Sequence, residues 1–511
     1  MLSHTFTDIV TGLFIFATLM NALLCLVFKG RKQTICINSL LITATATAIS
    51  LSVMWLQPAE RSRIKVTKDQ PVTFKADSLQ SYLIFADVIQ WVSEEFSGSK
   101  FVPPANECNR GRRQILGYAE DKLKGMLPSY PDNEDLVIRF CLVSAEIGND
   151  PCEQIKHYTS PKNRDETLGI FTRIFCREET SSAESKKFQT AIEKTLPLGW
   201  YRRSALMTVY ALLDDKPSYQ RLLHERKDIA KCRLFGMLAA YAYFLVVLLV
   251  GFIVVCRFLW QFARGRGAAD KLESHLSIRT VYGIWLMTLY CRVIAGLSAN
   301  CLAQQFRIHC TPLLFNWSVY LIAEVAALLN VMLAVYFLLV RPGVMNSLKD
   351  LFAIQPAEGA GGKTALIAFY GFCASLTCAT LASIVLAVCR IYQESEGSVA
   401  VNMLAMAIYP EPAAIAAGIV VVVLVGPILE ELLCRALLYR WLRKHLSPLT
   451  AALISGLVFA AMHRDPSQFV QFTFIGIVLA IVFERSKSLW AAIVAHSLYN
   501  LSSTLWMFAF V

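Results

Sequence analysis

The amino-acid sequence predicts an all-α, polytopic membrane protein with about ten transmembrane helices. Of its 511 residues, 55% are hydrophobic and only 17% are charged, and the mean hydropathy is +0.48, which is too apolar for an ordinary soluble protein. The net charge of +11 comes mainly from short Lys and Arg clusters between apolar runs, a pattern typical of topology signals. We therefore expect a multi-pass protein of the plasma or inner membrane, in contact with the lipid bilayer and without a nucleic-acid partner.

Residues 1–56 are predicted to form an N-terminal transmembrane hairpin. Two apolar runs, 9–28 and 36–56, flank a basic tip at residues 29–32. Short basic loops prefer the cytoplasmic side, so we expect this tip inside and the chain after residue 56 outside. No Lys or Arg precedes the first run and no cleavage site is evident after it, which predicts a retained anchor.

Residues 57–233 are predicted to form a soluble, mostly helical extracytoplasmic domain, inserted between the second and third spans. Charged residues, Pro and Gly are frequent there, and no apolar run is long enough to cross a membrane. Stretches such as 78–96 and 205–223 place apolar residues at mixed i, i+3 and i+4 spacing, which favours helices. We expect this domain to present or sense a partner, whose identity the sequence does not indicate.

Four cysteines of this domain are candidates for disulfides, namely Cys108, Cys141, Cys152 and Cys176. An oxidising compartment allows two disulfides, and the sequence does not choose among the three possible pairings. The alternative is that the four are buried free thiols. No Cys-x-x-Cys spacing occurs among them, which argues against a structural zinc site.

Residues 234–511 are predicted to form the membrane bundle. Its eight apolar runs are 234–255, 281–302, 313–339, 366–388, 413–440, 449–463, 469–483 and 489–510. Basic loops between them alternate consistently with one crossing per run. Two charges, Arg292 and Glu324, lie inside these runs and are functional candidates by position. They could pair structurally, contribute to catalysis or serve a transporter, which is the third functional hypothesis.

The segment 401–511 contains the most informative charges of the chain. Glu430, Glu431 and Arg435 form the pattern Glu-Glu-x-x-x-Arg within an apolar run. On a helix Glu431 and Arg435 stand four residues apart and can pair along one face. Glu430 points to a different side, so its carboxylate is available for chemistry.

Two further pairs of polar or aromatic residues follow this pattern. Phe459 and His463 lie at the end of one apolar run, and His496 and Asn500 are four residues apart in the last one. Glu430 and His496 both lie roughly 15 Å from the basic ends of their helices, so they can meet at one level. His463 fits this level only if its helix is tilted.

A carboxylate, two imidazoles and an amide in an apolar cavity are groups that can hydrolyse an amide bond. A buried carboxylate can take a proton from water, and imidazole and amide N–H groups can stabilise an oxyanion. The same residue types also bind zinc, which would activate its own water. The residues alone leave both mechanisms open.

These motifs resemble, in order and spacing, those of the CPBP family of intramembrane proteases, also called the ABI family, which includes the type II CAAX prenyl endopeptidases. The family patterns are Glu-Glu-x-x-x-Arg, Phe-x-x-x-His and His-x-x-x-Asn/Asp. The matching residues here are Glu430, Glu431, Arg435, Phe459, His463, His496 and Asn500. The resemblance covers the segment 401–511 well and the preceding spans more loosely.

The resemblance implies a conical cavity, open toward the cytoplasm, within a helical bundle. In it Glu430 with His463 would activate water, while His496 and Asn500 would hold the oxyanion. It assigns structural support to Glu431, Arg435 and Phe459.

The resulting hypothesis is an intramembrane endopeptidase that hydrolyses peptide bonds of membrane-embedded or lipidated protein or peptide substrates. It requires no cofactor; the metal-dependent alternative uses zinc bound by Glu430, His463 and His496. A rival of another class is a non-enzymatic membrane scaffold or receptor that keeps the protease fold. Substitution of the three residues would separate the two classes.

Overall fold

A computed structural model describes residues 76–77, 79–96, 103–130, 133–158, 166–176, 182–196, 199–263, 276–305, 312–343, 345, 361–389, 402–403, 405–407, 411–463 and 465–510. The predicted N-terminal hairpin lies outside these residues. Throughout the part described, the regular elements are helices, which confirms the all-α fold class. The chain divides into two compact units, one of which includes Ile64–Ala242 and the other Tyr243–Leu505.

The described part of the first unit, here called the helical unit, contains seven amphipathic helices and the N-terminal part, up to Ala242, of the longer helix Lys216–Ala263. The seven are α1 Gln80–Glu95, α2 Ala105–Met126, α3 Glu134–Ile147, α4 Pro151–Tyr158, α5 Glu166–Phe175, α6 Ser182–Thr195 and α7 Trp200–Leu212. Their apolar faces share one core, in which Phe140, Phe171 and Trp200 are buried. Local signals define α3 clearly: Asn133 caps its first turn by accepting the Leu136 N–H, and Gly148 ends it with a φ of 102°.

The cysteines of the helical unit form one disulfide. Cys152, in α4, is bonded to Cys176, immediately after α5. Cys108 and Cys141 are both buried and free, so the four cysteines form one of the two disulfides that the sequence allows, and the other two are buried free thiols as in the alternative. Each of the two free thiols is packed in the helical unit instead, and burial raises the pKa of the Cys141 thiol to about 12.

Eight further helices follow in the order that the apolar runs predict. They are α8 Lys216–Ala263, α9 Ile278–Gln305, α10 Pro312–Val335, α11 Gly361–Val388, α12 Pro412–His445, α13 Pro448–His463, α14 Phe469–Ser486 and α15 Leu489–Phe510. In the described part of the chain, six helices are long and apolar enough to cross a membrane, namely α8 to α12 and α14, whereas α13 is shorter. The total of about ten spans also counts two runs outside this part and stays a prediction.

Helix α12 is not a uniform α-helix. Two π-helical segments, Val420–Val425 and Leu432–Tyr439, flank a six-residue α-helical segment, Gly426–Glu431. Each wide turn changes the direction in which the following side chains point, and such turns are frequent at functional sites. Glu430 and Glu431 thus lie at the end of a short α-helical segment between two π-helical segments.

Helices α13 and α14 pack closely because both carry glycine at the contact. A Cβ on Gly476 would lie 2.7 Å from the Cα of Gly456, and a Cβ on Gly456 would lie 2.7 Å from the carbonyl oxygen of Thr473. At one end of α14, Glu484 accepts hydrogen bonds from Arg443 and Tyr439 of α12, at 3.1 and 3.0 Å. These contacts fix α12, α13 and α14 as the framework of the site.

Candidate active site

Two imidazoles predicted from the motifs converge on one carboxylate oxygen of a third motif residue, Glu430. Oε2 of Glu430 lies 3.7 Å from Nε2 of His463 and 3.8 Å from Nε2 of His496. Glu430 and His463 are partly accessible, with 20% and 23% of their side chains exposed, whereas His496 is 3% exposed. The helices α12, α13 and α15 therefore present a carboxylate and two imidazoles to a common point that solvent can reach.

Backbone and aromatic contacts orient the His463 ring. Its Nδ1 lies 2.8 Å from the carbonyl oxygen of Phe459, one helical turn earlier, and donates to it. Its ring stacks on Phe472 of α14, with ring centres 4.1 Å apart. Because Nδ1 is engaged in this hydrogen bond, Nε2 is the nitrogen that faces Glu430.

Glu431 orients the second imidazole from a fully buried position. Its Oε1 lies 3.0 Å from Nδ1 of His496 and 3.0 Å from Nη1 of Arg435. Glu431 and Arg435 are both 0% exposed, and Arg435 also donates to the carbonyl oxygen of Gly476 at 3.0 Å. The two adjacent glutamates thus have different surroundings: Glu430 faces the accessible point, and Glu431 is held between a guanidinium and an imidazole.

Phe459 occupies the centre of this arrangement. Its ring centre lies 4.7 Å from that of His463 and 5.4 Å from that of His496. The guanidinium carbon of Arg435 lies 4.8 Å from the same ring, within the range of a cation–π contact. Phe459, the aromatic residue of the second motif, therefore packs between the Arg435 guanidinium of the first motif and the His496 imidazole of the third.

Asn500 lies one turn after His496 on α15, as its spacing predicts, but its amide is directed elsewhere. Nδ2 donates to the main-chain carbonyl oxygen of Val422, at 2.7 Å. An oxyanion contact from this residue would have to use the second amide hydrogen. The structure thus brings six of the seven motif residues into direct mutual contact and links the seventh to the π-helical segment before Glu430.

Three participants in the site were not predicted from the sequence. They are Phe472, which stacks on His463, Gly476, whose carbonyl oxygen accepts from Arg435, and Val422, which binds Asn500. A glycine in each of two neighbouring apolar runs, at 456 and 476, is a signal for close helix packing. No sequence pattern indicates Val422, because the group that acts is its backbone carbonyl.

The two intramembrane charges outside the motifs form an ion pair with each other. Arg292 of α9 binds Glu324 of α10 through Nη2, and Glu324 is 5% exposed against 38% for Arg292. This contact matches the structural alternative among the hypotheses for these residues.

Glu430, His463 and His496 are also the candidate ligands of a metal centre. Over the residues that the structure describes, no group of three or more His, Cys, Asp or Glu side chains is arranged to hold a metal ion. The two Nε2 atoms lie 3.7 and 3.8 Å from the Glu430 carboxylate oxygen.

Comparisons with known proteins concern the same part of the chain. Residues 412–502 match a family model described as Type II CAAX prenyl endopeptidase Rce1-like, a segment that contains all seven motif residues. The chain is also 34% identical over 82 residues to "Putative membrane peptidase YdiL" of Bacillus subtilis (strain 168). That match covers 16% of this chain and 34% of the relative, so the chain spans about a third of the length of this relative. No solved structure matches the chain.

Proposed function

We propose that this multi-pass membrane protein is an intramembrane endopeptidase, because residues 412–502 match the family model of Rce1-like type II CAAX prenyl endopeptidases. Its substrates are membrane-embedded or lipidated proteins or peptides. The observation that carries the proposal is the convergence of His463 and His496 on one oxygen of Glu430, at 3.7 and 3.8 Å. This convergence joins three separate helices at a partly accessible carboxylate.

In the proposed reaction, Glu430 is the general base. A gap of 3.7 Å between its Oε2 and Nε2 of His463 is wide enough for both to contact one water molecule. Glu430 takes a proton from this water as the oxygen attacks the scissile carbonyl carbon. The proton then passes to the leaving amine nitrogen as the carbon–nitrogen bond breaks.

His496 is proposed to stabilise the oxyanion that this attack produces. In this role the His496 ring carries a proton on both nitrogens: Nδ1–H donates to the buried Glu431 carboxylate, and Nε2–H faces the reacting atoms and donates to the oxyanion. A donor that is already oriented requires no reorganisation when the negative charge develops. Glu431, Arg435 and Phe459 support this orientation without touching the substrate.

The test is cleavage by purified protein in liposomes, with two probes: a prenylated peptide that ends in a CAAX sequence and an unmodified membrane-spanning peptide. We expect Glu430→Gln to lower kcat by about 10²–10⁴-fold, with His463→Ala and His496→Ala also strongly impaired. Glu95→Gln, the same change at an exposed position of the helical unit, should leave the rate unchanged.

Terminal-peptide mass spectrometry of membranes from cells with wild-type or Glu430→Gln protein extends the test to natural substrates. Cleavage sites that disappear in the variant would support the proposal. Equal cleavage in the wild type and all three site variants would overturn it. That result, together with loss of function from changes in the helical unit, is what the scaffold or receptor hypothesis predicts.

The mechanism as written requires no cofactor, and zinc is its stated alternative. We expect dialysis against 1,10-phenanthroline to leave the rate of peptide cleavage unchanged. Loss of activity that returns on addition of zinc would replace the metal-free mechanism with one in which Glu430, His463 and His496 are ligands.

We place the helical unit on the extracytoplasmic side of the membrane, where it presents or senses a partner. Its Cys152–Cys176 disulfide supports this placement, since disulfides persist in oxidising compartments. A cavity of about 580 Å³, which includes Asp87, Glu146 and Arg226 in its lining, is of a size that suits a small ligand or a short peptide segment.

A further inference from the structure

The turn of α12 that precedes the two glutamates is built around a Gly-Pro pair. In the π-helical segment Val420–Val425, the N–H of Gly426 donates to the carbonyl of Val421, five residues earlier. A Cβ on residue 426 would lie 2.9 Å from that carbonyl oxygen, closer than real Cβ atoms come. Glycine is therefore required for this wide turn.

Pro427 then removes a hydrogen-bond donor from the same turn. At the five-residue spacing of a π-helix, the N–H of residue 427 would meet the carbonyl of Val422, but proline has no N–H. At the four-residue spacing of an α-helix, the N–H of Gly426 would donate to the carbonyl of Val422, but this N–H donates to the carbonyl of Val421 instead. Neither spacing therefore gives the carbonyl of Val422 a donor within its own helix, and leaving it unpaired would cost free energy.

Asn500 supplies this missing donor from another helix. Its Nδ2 lies 2.7 Å from the carbonyl oxygen of Val422, a short and well-formed hydrogen bond. Asn500 is four residues after His496, so both project from the same face of α15. The bond thus ties the turn before Glu430 to the face of the helix that carries His496.

We infer that Asn500 is a positioning residue: its amide replaces the N–H that Pro427 lacks, and this link holds Glu430 against His496. The inference rests on the proposed function and deepens it, because it gives Asn500 a role that does not require contact with the oxyanion. On the other side of Glu430, the hydrogen bond from His496 to Glu431 is a second link between α12 and α15. The two links bracket the 3.8 Å approach of the Glu430 carboxylate to His496.

A double-mutant cycle between residues 427 and 500 tests the inference. Asn500→Ala is expected to lower kcat by about 10²-fold, the scale of a 1 Å misplacement of a catalytic group. Pro427→Ala returns an N–H to the turn. The kcat of the double variant Pro427→Ala, Asn500→Ala should therefore be at least about tenfold higher than that of Asn500→Ala. An asparagine that acts on the oxyanion would show no such recovery, since a backbone N–H in α12 cannot replace it.

The control is Pro412→Ala combined with Asn500→Ala. Pro412 is the first residue of α12, where a helix does not use the N–H, so this change should give no recovery. If Asn500→Ala cannot be purified, Asn500→Leu removes the same amide donor at nearly constant size and enters the same cycle.

The apparent melting temperature provides a readout that needs no substrate. Asn500→Ala is expected to lower it by about 2–4 °C and Pro427→Ala to restore most of that loss in the double variant. Additive losses in both melting temperature and kcat would overturn the inference. If the wild type cleaves no probe but the 427–500 coupling appears in the melting temperature, the link stands and the proposed function fails; if Glu430→Gln is inactive without coupling, the proposed function stands and the link fails.

Discussion

The helical unit and the candidate active site each bury carboxylates, but they neutralise them with different partners. In the helical unit, Asp87 accepts from Arg226 at 2.6 Å, and Glu146 accepts from Arg226 and Arg112 at 2.8 and 2.7 Å. Asp77 likewise pairs with the buried Arg139. Every cationic partner named in this set is a guanidinium.

In the candidate active site the carboxylates have both guanidinium and imidazole partners. Glu431 meets one guanidinium, that of Arg435, and one imidazole, that of His496, while Glu430 faces two imidazoles. A guanidinium keeps its proton at any physiological pH, whereas an imidazole can accept or release one. The comparison teaches that burial and ion pairing alone do not indicate chemistry; the presence of titratable partners next to an accessible carboxylate does.

The largest effect should come from removing the buried guanidinium of each region, that of Arg435 in the site and that of Arg139 in the helical unit. Arg435→Met and Arg139→Met each leave a carboxylate, Glu431 or Asp77, without its cationic partner at almost no exposure. Each is expected to lower the free energy of unfolding by about 3–5 kcal/mol. Cleavage per folded molecule should fall by about 10²-fold in Arg435→Met only.

Thermal unfolding of the full-length protein in detergent gives the stability, and the peptide assay on the folded fraction gives the rate. Arg139 lies in the helical unit and serves as the matched control for Arg435. An equal loss of rate in both variants would mean that activity only follows folding, and the contrast between the two units would disappear.

The next largest effect is the loss of stability expected when the disulfide of the helical unit is removed. Cys152→Ser opens a loop with a sequence separation of 24 residues, for which the chain-entropy relation gives about 3 kcal/mol. The melting transition of the oxidised protein should shift down to that of the reduced wild type, with cleavage per folded molecule unchanged. Cys232→Ser is the control, since this thiol of the helical unit is free and exposed.

The same variant tests the compartment of the helical unit. An impermeant maleimide added to intact cells should label Cys152 and Cys176 only after reduction, and labelling should be lost in the Cys152→Ser, Cys176→Ser double variant. Protection of both cysteines until the membrane is permeabilised would place the helical unit on the cytoplasmic side and reverse the topology.

The sequence predicted the all-α fold class, the apolar helices and the neighbours Glu431 and Arg435, because these depend on composition and on spacing within one helix. It could not predict the partners of Asp87 or Asp77, since Arg226 and Arg139 are far away along the chain and pairing across helices leaves no periodic signal. The π-helical segments of α12 were also missed, because Gly-Pro in an apolar run indicates a perturbed helix without giving its form. Asn500 was placed on the correct face, but its contact is a backbone carbonyl, which no side-chain pattern encodes.

A smaller effect is expected from the close packing that supports the membrane site. Gly476→Ala places a Cβ 2.7 Å from the Cα of Gly456 and 3.2 Å from the Cβ of Phe459, so α13 and α14 must separate. Overpacking of this kind costs about 1–3 kcal/mol, and the Arg435 hydrogen bond to the carbonyl of residue 476 should weaken with it. The kcat of peptide cleavage should fall while KM changes little; Gly362→Ala, which meets nothing within 4 Å, is the control.

The smallest effect should come from an ion pair that resembles the buried ones in geometry alone. Lys227 and Glu94 lie 2.9 Å apart in the helical unit, but their side chains are 45% and 44% exposed. Water already solvates both charges, so Lys227→Ala should change the free energy of unfolding by less than about 1 kcal/mol. Added salt should reduce even this difference, whereas the losses in Arg139→Met and Arg435→Met should persist because buried pairs are poorly screened. Melting temperatures of the three variants at low and high salt measure this salt dependence. A salt-sensitive loss in Arg435→Met would show that the Arg435–Glu431 pair is solvated. The proposed mechanism would then lack the rigid partner that it requires for Glu431 and His496.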